Sequence, residues 1–142
     1  MASAPLPFDE PERLRTLQEL EVLDSDPEAE FDALAAAAAL VCNVPLSLVS
    51  LVDHDRQWFK ANVGLPGVTQ TPRELAFCAH AIVQDDVLEV PDALADERFA
   101  DNPLVVGAPE IRFYAGAPLR MADGTHAGTL CVIDRVPRQL TA

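Results

Sequence analysis

The stretch from Val44 to Ala61, VPLSLVSLVDHDRQWFKA, limits the possible folds more than any other part of the chain. Between Val44 and Val52 nearly every position is apolar or small, whereas a strand with one wet face alternates apolar and polar residues. The run therefore predicts a central strand covered on both faces. Asp53 to Arg56 supplies a charged turn, and Gln57, Trp58, Phe59 and Lys60 resume with bulky side chains that suit a pleated surface. A hairpin buried in this way needs a packed layer on each side, which the rest of the chain must provide.

Upstream, Asp9 with Pro11 and Glu12 forms a capping-box pattern and predicts a helix over residues 9–23. Its leucines, Leu14, Leu17, Leu20 and Leu23, make a narrow stripe suited to a partner helix as much as to the core. Pro27 opens a second helix with Phe31, Leu34, Ala35, Ala38, Val41 and Cys42 on its apolar face and Asn43 as a left-handed stop. Downstream, the glycines and proline of NVGLPGVTQ exclude regular structure. Thr71, Pro72 and Glu74 repeat the capping pattern, so ELAFCAHAIV is expected to be helical. VLEV reads as a short strand, and a short helix is expected from Asp92 to the break at Asn102 and Pro103. Strands from Ile111 to Met121 and from His126 to Asp134 flank Asp123-Gly124, a strong hairpin signal. The expected fold is α+β, with a five-stranded antiparallel sheet, two early helices on one face, and loops with short helices on the other. One domain is expected over residues 1–142, with residues 138–142 as the start of a linker helix.

The balance of 23 acidic against 10 basic residues gives a net charge of −13, which repels phosphate backbones and anionic membrane surfaces. No run approaches the roughly 18 apolar residues of a membrane span, and the opening residues lack a secretory pattern. A cytoplasmic domain without nucleic-acid or membrane partners is expected. Three widely spaced cysteines, Cys42, Cys78 and Cys131, fit reduced thiols better than a disulfide framework.

With this order in place, SLVSLVDHDRQWFKANVGL, FCAHAI, VLEVPDALADERFADNPLV, IRFYAGAPL and GTLCVIDRVPRQL resemble a bacterial sensory GAF domain over Asp9 to the C-terminus. The resemblance implies a regulatory input module of a longer signalling protein, ahead of an output such as a histidine kinase or diguanylate cyclase. It implies a small-molecule pocket on the loop-covered face of the sheet. By position, its wall would come from Trp58, Phe77, Cys78, His80, Asp92, Arg112 and Tyr114, with the ligand unidentified. Bilin-binding relatives attach the chromophore to a cysteine followed directly by histidine, but Ala79 follows Cys78 here, so no bilin is expected. The Asn-Lys-Xaa-Asp-Glu signature of cyclic-nucleotide binders is missing as well.

The residues permit several chemistries. Cys78 beside His80 suggests a thiolate or a metal site, but on a helix the two point about 200° apart and no second ligand pair accompanies them. No metal is expected. Cys42 and Cys131 read as small core residues. Trp58 suits plain packing as well as a pocket, and Arg112 near Tyr114 suits either an anion or an ion pair with a nearby acid. No catalytic constellation is present. The sequence therefore points to a non-catalytic sensor whose terminal helices form a homodimer and relay a ligand or redox change. The alternatives are a thiol enzyme of the free methionine sulfoxide reductase type and a ligand-free dimerisation platform.

Overall fold

The computed structural model describes residues 4–140 and contains a six-stranded, fully antiparallel sheet in the order β3-β2-β1-β6-β5-β4. The predicted hairpin lies at its centre. All seven residues of β1 (Leu46–Val52) are buried, and β2 (Arg56–Val63) returns alongside it. The strands β5 (Phe113–Arg120) and β6 (His126–Asp134) form the second hairpin, and β4 (Leu88–Val90) closes that edge. The sixth strand is β3 (Gln70–Pro72), which pairs with β2 at the opposite edge and corrects the expected count of five. Thr71 and Pro72 thus belong to a sheet edge and do not cap a helix. Only a single 3₁₀ turn, Arg73–Leu75, and the four-residue helix α3 (Cys78–Ala81) remain of the helix expected over ELAFCAHAIV.

Alternation on the strands sorts side chains onto two faces. On one face, α1 (Glu10–Glu19) and α2 (Ala29–Cys42) cover the sheet. Leu17 of α1 packs with Leu51, Trp58 and Ala127, while Ala35 of α2 packs with Val49 and Ala61. The alanines let α2 approach closely, and Ala38, Ala39 and Cys42 face the cluster of Val44, Phe113, Ala115 and Val132. Leu34 and Val41, expected on the buried side, are 45% and 84% exposed because these small residues face the sheet instead. Asn43 ends α2 in the left-handed conformation, as its sequence suggests.

The first helix is shorter than residues 9–23: it stops at Glu19, and positive φ at Glu21 and Asp24 turns the chain. Asp9 occupies the cap position without a side-chain cap bond. The helix is instead fastened by a buried network, in which Arg13 and Arg73 both bind the Glu10 carboxylate and Arg13 also donates to the Val52 carbonyl at 2.6 Å. Burial alone would raise the Glu10 pKa, but hydrogen bonds and charge from the two arginines outweigh it and hold the group at about 2.

On the other face lies the larger core, built from Leu46, Leu48, Val52 and Phe59 of the sheet and from Phe77, Phe99, Val105 and Ile111 of the covering segments. Asp92 caps a 3₁₀ turn at Ala93–Ala95, and Asn102 starts α4 (Pro103–Val106), where the sequence suggested the end of a helix. Burying each large apolar side chain contributes roughly 1.5–3 kcal/mol, so this cluster dominates the stability of that face. Residues 138–140 form no helix; Arg138 and Leu140 donate backbone bonds to the Pro91 carbonyl and the Glu89 carboxylate. The remainder of the expected linker helix, residues 141–142, lies outside the described residues.

Candidate functional site

Between the sheet and its covering loops is a cavity of about 240 Å³. Its floor follows from strand register. Leu46, Ile133 and Tyr114 occupy one row across β1, β6 and β5, and Leu48, Cys131 and Gly116 occupy the next. Gly116 is required there: a β-carbon would lie 2.3 Å from the Tyr114 hydroxyl, which folds over it. Gln57 and Phe59 extend the floor onto β2. Leu65, Val68 and Phe77 cover one side, and Leu104, Ala108, Pro109 and Ile111 cover the other. Among the described residues, no charged side chain lines the cavity.

Its polar groups are few and ordered. Gln57 Nε2 donates to Thr71 Oγ1 at 3.0 Å, which ties the lining to β3. Gln57 Oε1 accepts from the Cys78 thiol, which also lies 3.2 Å from Ser50 Oγ on β1. Tyr114 reaches Thr129 at 3.5 Å. Burial pushes both the Cys78 and Cys131 thiols up to about 12 and raises Tyr114 well above its ordinary range. At neutral pH these groups are uncharged, and neither cysteine has the thiolate character that nucleophilic chemistry requires.

The seven residues expected in the pocket wall separate. Phe77 and Tyr114 line the cavity, their ring centroids 5.2 Å apart, and Phe77 stacks on Phe99 at 4.1 Å. Cys78 lies immediately behind the lining, hydrogen bonded to Gln57. His80 diverges from it, as a helix demands, and meets the edge of Phe99 at 4.8 Å. Burial, and then the nearby Arg98 charge, lower the His80 pKa. Asp92 is occupied as a cap, accepting from the Leu94 amide at 3.1 Å.

Arg112 precedes β5 by one residue, so strand alternation does not carry it to the side of Tyr114; it donates to the Val105 and Ile111 carbonyls at 2.8 and 3.1 Å. Trp58 is on the helix-covered face against Leu17 and does not line the cavity. The sequence does not mark the lining residues Gln57, Phe59, Thr71, Leu104, Pro109, Cys131 and Ile133 as pocket residues. Alternation along β2 pairs Gln57 with Phe59, but which face they share depends on the partner strands. Among the described residues, no cluster of three or more His, Cys, Asp or Glu could hold a metal ion, and no helix is long and apolar enough to cross a membrane.

A family model described as GAF domain matches residues 26–142. A cyclic di-GMP phosphodiesterase of Pseudomonas aeruginosa is 49% identical over 97% of this chain. The chain spans 23% of that relative's length. Among solved structures, a type II free methionine-R-sulfoxide reductase from Thermoplasma acidophilum matches with a TM-score of 0.64 at 12% identity, covering 88% of this chain and 82% of that one. The GAF domain of an Acinetobacter phosphoenolpyruvate-protein phosphotransferase gives 0.62 at 20% identity, covering 92% and 79%. At these identities the two structures share the fold alone.

Proposed function

The chain belongs to the GAF domain family, and on that premise we propose that it is a sensory module that binds a small molecule in the cavity beneath Phe77 and Leu104. The observation that carries this proposal is about 240 Å³ of mostly apolar space between the sheet and its two coverings. Occupancy would press on Leu48 and Cys131 in the floor. The same strands, β1 and β6, hold α1 through the Val52 and His126 carbonyls, both bound by Arg13, so a shift in the floor has a direct route to the first helix.

Leu20 at the C-cap of α1 and Leu40 and Val41 on α2 are 48%, 83% and 84% exposed, which supports a homodimer through these helices as the relay. Sedimentation of the chain and of its Leu40→Glu variant tests that part: a dimer that the variant abolishes supports it, and a wild-type monomer at high concentration refutes it. The 49% identical relative supports a cyclic di-GMP phosphodiesterase as the output that this module regulates.

No catalysis is assigned to the domain itself, because a thiol reductase needs an exposed attacking thiol and a resolving thiol within reach, and of the three cysteines Cys78 and Cys131 are buried, leaving the partly exposed Cys42 alone. The test is phosphodiesterase turnover by the complete encoded polypeptide, with and without Leu104→Trp, which fills the cavity. Altered regulation of turnover supports the proposal; indifference to the filled cavity refutes it.

A further inference from the structure

We infer that the cavity takes an uncharged, mostly apolar molecule of roughly ten non-hydrogen atoms, carrying one hydrogen-bond acceptor directed at Thr71. This rests on the sensory role proposed above and specifies the ligand class. Size follows from the volume: a cavity of about 150 Å³ accommodates benzene, so 240 Å³ suits a ligand of about ten heavy atoms.

Neutrality follows from the electrostatics. Among the described residues the lining contains no charged side chain, and the nearby guanidinium of Arg112 is committed to the Val105 and Ile111 carbonyls. Arg73 is committed to Glu10 and Asp53, and Lys60 to Ser25, Asp26 and Glu28. An anion entering the cavity would lose its water without gaining a counter-charge, and a cation would find no carboxylate.

The acceptor follows from hydrogen-bond capacity. Gln57 Oε1 receives the Cys78 thiol, and Gln57 Nε2 donates to Thr71 Oγ1. Thr71 therefore retains its own O–H, and Gln57 retains its second N–H; both are donors. A ligand carbonyl or ether oxygen complements these two donors.

The test uses three probes of closely similar size against the 142-residue chain: acetophenone (neutral, with a carbonyl), benzoate (charged) and cumene (neutral, without an acceptor). Binding is followed by methyl and ligand-observed NMR, with Leu104→Trp and Val68→Trp as two independent cavity-filling variants. Acetophenone is expected to bind at least about ten-fold more tightly than benzoate and about three- to ten-fold more tightly than cumene. Each filling variant that folds should abolish its binding, and Thr71→Val, which leaves only the Gln57 N–H donors, should weaken the preference over cumene while leaving cumene unchanged.

Benzoate binding as tight as acetophenone, or an unchanged preference in Thr71→Val, overturns the ligand class. If that binding is still lost on filling the cavity, the sensory proposal survives. Failure of all three probes, or acetophenone binding indifferent to both filling variants, also overturns the inference. A regulated output in the complete polypeptide distinguishes that failure from failure of the sensory role itself.

Discussion

Replacing Glu10 with glutamine should unfasten the first helix and remove much of the domain's acid sensitivity. The carboxylate accepts from Arg13 at 2.8 and 3.1 Å and from Arg73 at 2.5 and 3.2 Å, in a site where Glu10 is only 8% exposed. Burial opposes ionisation, but the arginines prevail and move the group from its ordinary 4.5 to about 2. That difference of about 2.5 pH units corresponds to roughly 3 kcal/mol of stability. The folded value lies below the unfolded one, so this stabilisation is complete above pH 4.5 and is lost as pH falls toward 2.

At neutral pH, Glu10→Gln leaves two buried guanidiniums without their counter-charge, and a loss of similar size, roughly 3 kcal/mol or a little more, is expected. For a domain of this length that lowers Tm by roughly 6–12 °C. Urea unfolding between pH 7 and pH 3 provides the assay. The wild type should weaken steeply below pH 4.5, the variant should have a flatter profile, and the two should converge in acid. A variant as stable as the wild type at pH 7, or one that keeps the wild-type acid slope, would refute the role given to this network.

Three further outcomes are expected. Lys60 Nζ holds Ser25 Oγ and the Asp26 carbonyl at 2.6 Å and Glu28 at 2.7 Å, so Lys60→Met should cost roughly 1.5–3 kcal/mol. Amide exchange should quicken between α1 and α2 while the β1 ladder remains protected; uniform quickening would contradict this. A thiol reagent at pH 8 should label the partly exposed Cys42 in the native chain and reach Cys78 and Cys131 only on unfolding, whereas three equally reactive thiols would contradict their burial. Gly128→Ala would place a β-carbon 1.8 Å from the Ser50 carbonyl oxygen, forcing β6 away from β1; a loss of at least about 3 kcal/mol is expected, and near-native stability would contradict this register.

Several elements were legible because their signals are local. The unbroken apolar run from Leu46 to Val52, the Asp123-Gly124 turn with Gly124 at φ +87°, and the Asn43 stop each follow from a few neighbouring residues. The third strand was not legible, since Thr71 and Pro72 suit a helix cap or an edge strand and only pairing with Gln57 and Arg56 decides between them. Trp58 and Phe59 had to face opposite layers, but the sequence could not assign the layers. Register with Leu51 sends Trp58 to Leu17, and an extra residue at Lys60 shifts the pairing between Val49 and Ser50. Of the pocket residues implied by family resemblance, the aromatic pair Phe77 and Tyr114 reaches the cavity. Asp92 and Arg112 are instead consumed by backbone groups that only the folded loops bring near.

The most direct test of the cavity as a ligand site is a native mass spectrum of freshly purified protein, compared with its denatured mass and with that of Leu104→Trp. A surplus mass that vanishes on denaturation and is missing from the variant is expected, and its value would begin to identify the ligand. A bare wild-type mass that acetophenone cannot raise, or a surplus that persists when the cavity is filled, would contradict the cavity as the site of recognition.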